Sequence, residues 1–135
     1  MKPDPFDAAE WNLLQVIGWV YTRDSQLVRE CSDDNDADQP ANILTVMARG
    51  AELEDAGLSM PFPSFKAAES NLLAKCFNAA IKPTARQHGD GERKYIPSNQ
   101  LSGAAILYDP NGIGPKDDLP RHAKWQHVLF PRDVV

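Results

Sequence analysis

The stretch DAAEWNLLQVIGWVYTRD, residues 7–24, decides the fold because its apolar residues have the spacing of a core helix. At about 100° per residue they fall on one stripe or at its edge. The members of this stripe, with the preceding Phe6, are Phe6, Ala9, Leu13, Leu14, Val16, Ile17, Val20 and Tyr21. Asp7 is predicted to cap the helix, with Glu10 three residues later as in a capping box. The sequence therefore predicts a core-facing helix over residues 7–24.

Two tryptophans of this segment project away from the stripe. Trp11 and Trp19 fall on the side of the predicted helix that is meant for water. In one interpretation, C-terminal segments cover them and the helix is buried nearly all round. In the other, they form an interface, since large aromatic side chains anchor protein contacts. Trp11 and Trp19 are accordingly the predicted partner-binding residues, for self-association or for another protein.

Three further helices are indicated by the same spacing. They are predicted at residues 25–31, 41–56 and 65–78, the last with Ser64 as its N-cap. In the helix at 41–56, the side chains expected to face the core are Ile43, Val46, Met47, Gly50 and Leu53. Gly57 is the expected C-terminal stop.

β-structure is predicted to follow the last helix. Residues 79–96 are expected to form a hairpin with its turn at residues 88–91, and Pro83 is expected to confine the first strand to a sheet edge. Ile81, Tyr95 and Ile96 are expected to fix the hairpin to the core. Residues 104–108 and 125–130 have the β-branched and aromatic content of strands, and a Pro/Gly-rich segment between them is predicted as a loop.

These elements predict one α+β domain of 135 residues. It has three to four helices and a C-terminal antiparallel hairpin or small sheet. A helix followed by a hairpin is the order found in winged-helix proteins, whose wing lies on nucleic acid. Four cations of this wing, Lys82, Arg86, Arg93 and Lys94, are the candidate phosphate contacts of that alternative, although Asp90 and Glu92 dilute their field.

Charge is distributed unequally along the chain, whose net charge is −5. Residues 1–60 hold 12 Asp/Glu and 4 Lys/Arg, a balance of −8, whereas residues 61–135 hold 7 and 10, a balance of +3. The acidic half disfavours nonspecific binding to phosphate backbones. No apolar run is long enough to cross a membrane, and the N-terminal residues do not resemble a secretory signal, so a cytoplasmic protein is predicted.

The sequence predicts no cofactor, no metal site and no enzymatic activity. Asp33, Asp34, Asp36 and Asp38 lack the Gly and Glu positions of a calcium loop, so residues 32–39 are predicted as an acidic linker. No phosphate-binding glycine motif and no GxSxG are present. His122 and His127 are predicted as ordinary surface histidines. Cys31 and Cys76 lack CxxC spacing and are predicted as reduced structural thiols.

Two motifs carry a resemblance that spans most of the chain. The segment WVYTRD, residues 19–24, and the segment RKYIP, residues 93–97, resemble short, largely uncharacterised bacterial proteins. Those proteins share a Trp-aliphatic-x-Thr/Ser-Arg-Asp helix end and a late Arg-x-x-Ile-Pro segment. The resemblance implies a bacterial, cytoplasmic origin and transfers no catalytic or ligand-binding residue. In the first motif, Arg23 and Asp24 are predicted to anchor the end of the helix.

Together these observations favour a non-catalytic bacterial regulator or adaptor that acts through protein–protein contacts. The alternatives are a winged-helix regulator that binds nucleic acid and an enzyme of unrecognised type.

Overall fold

The structure is a computed structural model that describes residues 6, 8–31, 43–78, 80–87, 90–101, 104–108, 111–115 and 125–132. Within these ranges the chain forms four α-helices, α1 (Leu13–Thr22), α2 (Ser25–Glu30), α3 (Ile43–Asp55) and α4 (Phe65–Phe77). The strands are β1 (Glu10–Asn12), β2 (Thr84–Gln87), β3 (Asp90–Tyr95), β4 (Ala104–Tyr108), β5 (Asn111–Pro115) and β6 (Trp125–Pro131). They join in one antiparallel sheet, so the predicted α+β class is confirmed.

The first helix begins later than predicted. Asn12 accepts a hydrogen bond from the Gln15 backbone N–H at 2.8 Å, and the Gln15 side chain accepts one from the Asn12 N–H at 3.0 Å. This reciprocal pair is a capping box that starts α1 at Leu13. The preceding residues form β1, and pairing with β6 gives their backbone groups hydrogen-bond partners outside the helix. The helix predicted from residue 7 is therefore wrong at its start, and Asp7 lies outside the described residues.

Helix α1 lies at the centre of the molecule. Nine of its ten residues are buried, which a helix with one core-facing stripe cannot achieve. It packs against α2, α3 and α4 and against β6. Close approach to α3 occurs at Gly50, where a Cβ atom would lie 2.6 Å from the Cζ and Oη atoms of Tyr21. α1 is therefore buried nearly all round.

Strand β6 organises the sheet, whose order is β3-β2-β6-β5-β4. One edge of β6 pairs with β2, through Leu129 with Thr84 and Gln126 with Arg86. The other edge of β6 pairs with two strands, β5 and β1. β5 pairs with its start, where Gln126 lies opposite Gly112, and β1 pairs with its end over residues 129–131. Every described strand except β3 and β4 thus contacts β6 directly.

A β-bulge at His127 sets which side chains of β6 face the core. His127 has φ of 53°, and the register with β2 shifts there, so that two β6 residues lie opposite one β2 residue. The extra residue explains why Trp125 and Val128, three positions apart, are both buried, whereas an uninterrupted strand alternates every second residue. The bulge therefore joins two core-facing runs within one strand.

The predicted helix-to-hairpin unit is present as α4 followed by β2 and β3. Ile81 and Ile96 are buried as predicted, but Tyr95 is 66% exposed, so its predicted role in attachment is wrong. The prediction that Pro83 confines the first strand to a sheet edge is wrong, since β2 is an inner strand and β3 the outer one. Pro83 is compatible with this order because it precedes β2 and removes no donor from it. β3 already begins at Asp90, so the predicted turn at residues 88–91 is too long. Residues 88–89 lie outside the described residues.

The segment predicted as a Pro/Gly loop contains a strand that sequence reasoning missed. β5 spans Asn111–Pro115 and pairs with β4 over its whole length. The outer strand β4 is covered by α4, since the Ile106 N–H donates a hydrogen bond to Glu69 Oε2 at 3.0 Å. This contact gives a backbone donor of an outer strand a partner from the helical layer. The predicted strands at 104–108 and 125–130 are confirmed.

Across the described ranges, no helix combines the length and apolar character that crossing a membrane requires.

Candidate functional site

Three aromatic rings form a cluster where the N-terminal segment meets α1. The ring of Phe6 lies edge-on to Trp11 and Trp19, at centroid distances of 5.3 and 5.6 Å, and the two tryptophans are 6.2 Å apart. Trp11 belongs to β1 opposite Phe130 and is 3% exposed. Its predicted position on the water side of a helix is wrong, because the residue is in a strand whose side chain turns into the core.

Trp19 is half-buried, and a guanidinium covers part of its ring. Arg23 ends α1 in the left-handed region at φ 56° and stands 5.2 Å from the Trp19 centroid. Arg29 stands 5.2 Å from the Phe6 centroid in the same way. Such cation–π contacts place the arginines over the rings. The structure therefore brings the two predicted partner-binding tryptophans together as packing residues, with only Trp19 reaching the surface.

Of the predicted anchor residues Arg23 and Asp24, Asp24 does hold the helix corner, but its cationic partner is Arg49 and not Arg23. Asp24 caps α2 by accepting hydrogen bonds from the N–H groups of Gln26 and Leu27. Its second oxygen accepts from Arg49 on α3 at 2.8 Å, and Arg49 also donates to Glu30 at 2.6 Å. Arg49 therefore joins the α1–α2 corner to α3. Sequence reasoning missed Arg49, although a single cation inside an acidic helix was a visible signal.

The Arg49 contacts change the charge balance of this corner. Burial alone raises the pKa of Asp24, but hydrogen bonds from Arg49, Gln26 and Leu27 outweigh burial and hold that pKa below its ordinary value of 3.8. Hydrogen bonds to Glu30 and Asp24 raise the pKa of Arg49 in turn. Glu52 approaches the same guanidinium at 3.6 Å. The positive charge of Arg49 is thus matched by three carboxylates.

We expect the Arg49→Met variant to lower the free energy of unfolding by about 2 kcal/mol, the scale of hydrogen bonds to charged groups. Because the folded pKa of Asp24 is depressed, its stabilisation is present above pH 3.8 and is lost as pH falls through the lower folded pKa. Urea unfolding at neutral and acid pH measures both effects. In Arg49→Met the acid-induced loss should be smaller, and in the exposed control Arg86→Met it should match the parent. Equal acid loss in all three proteins would contradict the assignment.

Both cysteines are free and buried. Burial raises the pKa of Cys31 to about 12, with a smaller contribution from Glu30, and burial raises that of Cys76 to about 12. A thiol at such a pKa is protonated at neutral pH and is a poor nucleophile. The prediction that these residues are structural thiols agrees with their placement.

The hairpin cations do not form one cluster. Lys94 stands opposite Ala85 and lies 5.6 Å from the Trp125 ring centroid, on the core-facing side of the sheet. Arg93 lies on the opposite side of β3, where it donates to the carbonyl and hydroxyl oxygens of Thr84 at 3.1 and 3.3 Å. Arg86 and Lys82 are exposed. Strand alternation therefore places Arg93 and Lys94 on opposite sides of β3, so the four cations proposed to act together on phosphates cannot share one face.

The outward face of α3 is an apolar stripe. Leu44 and Met47 are 54% and 42% exposed, and Ala48 and Ala51 are exposed beside them. These four residues have the spacing i, i+3, i+4 and i+7, which places them on one helix face. Met47 was predicted to face the core. That prediction is wrong for Met47, whereas Val46 and Gly50, predicted with it, do face α1.

Acidic residues border this stripe at its C-terminal end. Glu52, Glu54 and Asp55 are exposed, and at about 100° per residue the two glutamates fall on opposite sides of the stripe. Arg49 is the only Lys or Arg between residues 43 and 55, and its charge is matched by carboxylates. We call Leu44, Met47, Ala48 and Ala51 with this border the α3 face.

Metal ligands are not grouped in the described part of the chain. Within it, no set of three or more His, Cys, Asp or Glu side chains is placed to hold an ion. His127 is exposed on the β6 bulge. The four aspartates of residues 33–38 and His122 lie outside the described residues.

The chain was compared with protein-family models, curated proteins and solved structures. No protein-family model, no curated protein and no solved structure matches the chain.

Proposed function

We propose that the protein is a non-catalytic adaptor or regulator that binds another protein through the α3 face. The observation that carries this proposal is the regular apolar stripe, whose large members Leu44 and Met47 are 54% and 42% exposed on a helix already packed on its other side. Helices with a second apolar face commonly present it to a partner. In this proposal the apolar stripe of α3, and not Trp11 and Trp19 as in the sequence-based hypothesis, is the protein-binding surface.

The chemistry of the described residues supports a binding role. The pKa shifts occur at the Arg49 corner, where each charge serves a helix cap or an ion pair, and at two buried thiols. Perturbed groups in an active site would instead face a cleft and a substrate. The nucleic-acid alternative has weaker support, because Arg93 and Lys94 lie on opposite sides of β3.

Site-specific photo-cross-linking in the organism that encodes the protein tests this proposal. A photoreactive side chain at Ala48, on the α3 face, should give a discrete adduct with a protein. The same group at Ala74, an exposed alanine of α4, should not. Nuclease treatment should leave the adduct intact, and Leu44→Ser/Met47→Ser should remove it. The proposal fails if the two positions give the same adducts or if nuclease abolishes the Ala48 adduct.

A further inference from the structure

We infer that the α3 face receives a basic amphipathic helix of a partner protein, and this inference rests on the proposed function. The occupant is specified by two properties of the face that lie side by side, an apolar stripe of helical spacing and a border of carboxylates. A helix that carries apolar residues at i, i+3, i+4 and i+7, flanked by Lys or Arg, matches both properties.

Charge complementarity argues for a basic partner. Glu52 and Glu54 flank the stripe on its two sides, and Asp55 lies at its end. The one Lys or Arg of α3, Arg49, is held by Asp24 and Glu30 on the side that faces α2. It also lies 3.6 Å from Glu52, so Glu54 and Asp55 are the border carboxylates that Arg49 does not contact. The backbone adds to the negative potential, because these acids occupy the C-terminal turns, where the helix dipole is negative. The face therefore attracts cations and repels anionic surfaces.

The size of the side chains argues for a helix as the occupant. Leu44 and Met47 stand at the N-terminal end of the stripe, whereas Ala48 and Ala51 leave the C-terminal end shallow. Small residues allow a partner helix to approach within roughly 8 Å between axes, at the close end of helix packing. That approach brings the cations of the partner within reach of Glu52 and Glu54. Since the stripe covers only about 10 Å of helix length, the contact is modest in area.

A second copy of the chain matches the α3 face less well. It would bring the same Glu52, Glu54 and Asp55 to the interface and would add a body of net charge −5. Like charges placed together cost free energy in association. Self-association through the α3 face is therefore an outcome that overturns this inference.

The test uses the full chain and two designed helical peptides with the same leucine stripe, one flanked by Lys and one by Glu. Amide chemical shifts of the isotope-labelled protein report where each peptide binds. The Lys peptide should shift α3 resonances with a dissociation constant on the order of 10 μM. It should bind at least about tenfold more tightly than the Glu peptide, and added salt should weaken it. A scrambled Lys peptide of identical composition should bind at least about tenfold more weakly, because it lacks the stripe.

Two matched double variants distinguish binding at the α3 face from nonspecific hydrophobic binding elsewhere on the protein. Leu44→Ser/Met47→Ser should lower the affinity of the protein for the Lys peptide at least about tenfold. Phe77→Ser/Tyr95→Ser, which removes two side chains of similar exposure elsewhere, should leave its affinity unchanged. The neutralised variant Glu52→Gln/Glu54→Gln/Asp55→Asn should lose the preference for Lys over Glu.

The outcomes distinguish this inference from the proposed function. Equal binding of the Lys and Glu peptides at α3 overturns the basic partner but leaves a protein-binding face. Shifts outside α3, or a concentration-dependent dimer that the Leu44/Met47 variant abolishes, also overturn the inference. Failure of the Ala48 adduct in the cross-linking experiment, in contrast, removes the proposed function itself.

Discussion

Deletion of His127 is expected to lower the free energy of unfolding by at least about 3 kcal/mol, the scale of removing a large aromatic side chain from a core. His127 is the extra residue of the β6 bulge. Without it the strand alternates regularly, and Trp125 and Val128 can no longer both face the core. Either Trp125 leaves its buried site or the pairing with β2 and β5 is lost. Chemical denaturation followed by tryptophan fluorescence measures the loss.

The substitution His127→Gly provides the matched control, because it keeps the residue count and changes only the side chain. At φ 53° a glycine is unstrained, whereas other residues pay roughly 1–2 kcal/mol. This variant should therefore be as stable as the parent or more stable by up to about 1 kcal/mol. If deletion and glycine substitution destabilise the protein equally, the His127 side chain matters and the bulge does not.

The substitution Gly50→Ala is expected to destabilise the protein by about 2 kcal/mol, within the range for overpacked cores. Its new Cβ would lie 2.6 Å from the Cζ and Oη atoms of Tyr21, which is itself buried and packed edge-on against Phe65 at 5.8 Å. Relieving this overlap requires either the buried Tyr21 ring or α3 to shift from its packed position. The roughly 1 kcal/mol that alanine gains in helix propensity offsets only part of this cost.

Gly18→Ala is the comparison that isolates the steric cause. Its Cβ would lie 3.2 Å from Leu27 Cδ2, an overlap that a shift of a few tenths of an ångström relieves, in contrast to the far closer contact at Gly50. The same gain in helix propensity then leaves Gly18→Ala close to neutral. Urea unfolding of both variants, together with Gly50→Ala/Tyr21→Leu, provides the measurement. A Gly50→Ala variant as stable as Gly18→Ala would show that the helices are not in contact there.

Local signals predicted α3 and α4 well because a capping residue marks one end of each helix. Ser64 caps α4, and Gly57 at φ 77° ends the region after α3, as glycine in the left-handed region commonly does. The start of α1 was misplaced because residues before Leu13 continue the helical apolar spacing. Their conformation is decided by β6, more than a hundred positions away, and no local pattern reports such a partner.

The sheet and the candidate site were harder to predict for the same physical reason. Gly112 and Gly114 have low strand propensity, yet β5 forms because it is paired with both β4 and β6. In α3, Val46 and Gly50 pack on α1 as predicted, whereas Met47, at the border of that face, is 42% exposed because no element in the described part of the chain covers it. Propensity is a weak guide where tertiary contacts of this kind decide the outcome.

The central place of β6 has a consequence for how the protein is made. β6 follows in sequence all the strands it joins, and the Arg132 side chain donates to the carbonyl oxygen of Ala8, 124 positions earlier. On a ribosome that adds roughly 5–20 residues per second, β1 and β2 must wait for β6 to emerge, for β1 on the order of ten seconds. During that time Trp11 and Ile81 have no completed core to enter. Apolar residues of β1 and of the segment before β2 therefore lack their final packing partners on the nascent chain until translation reaches β6.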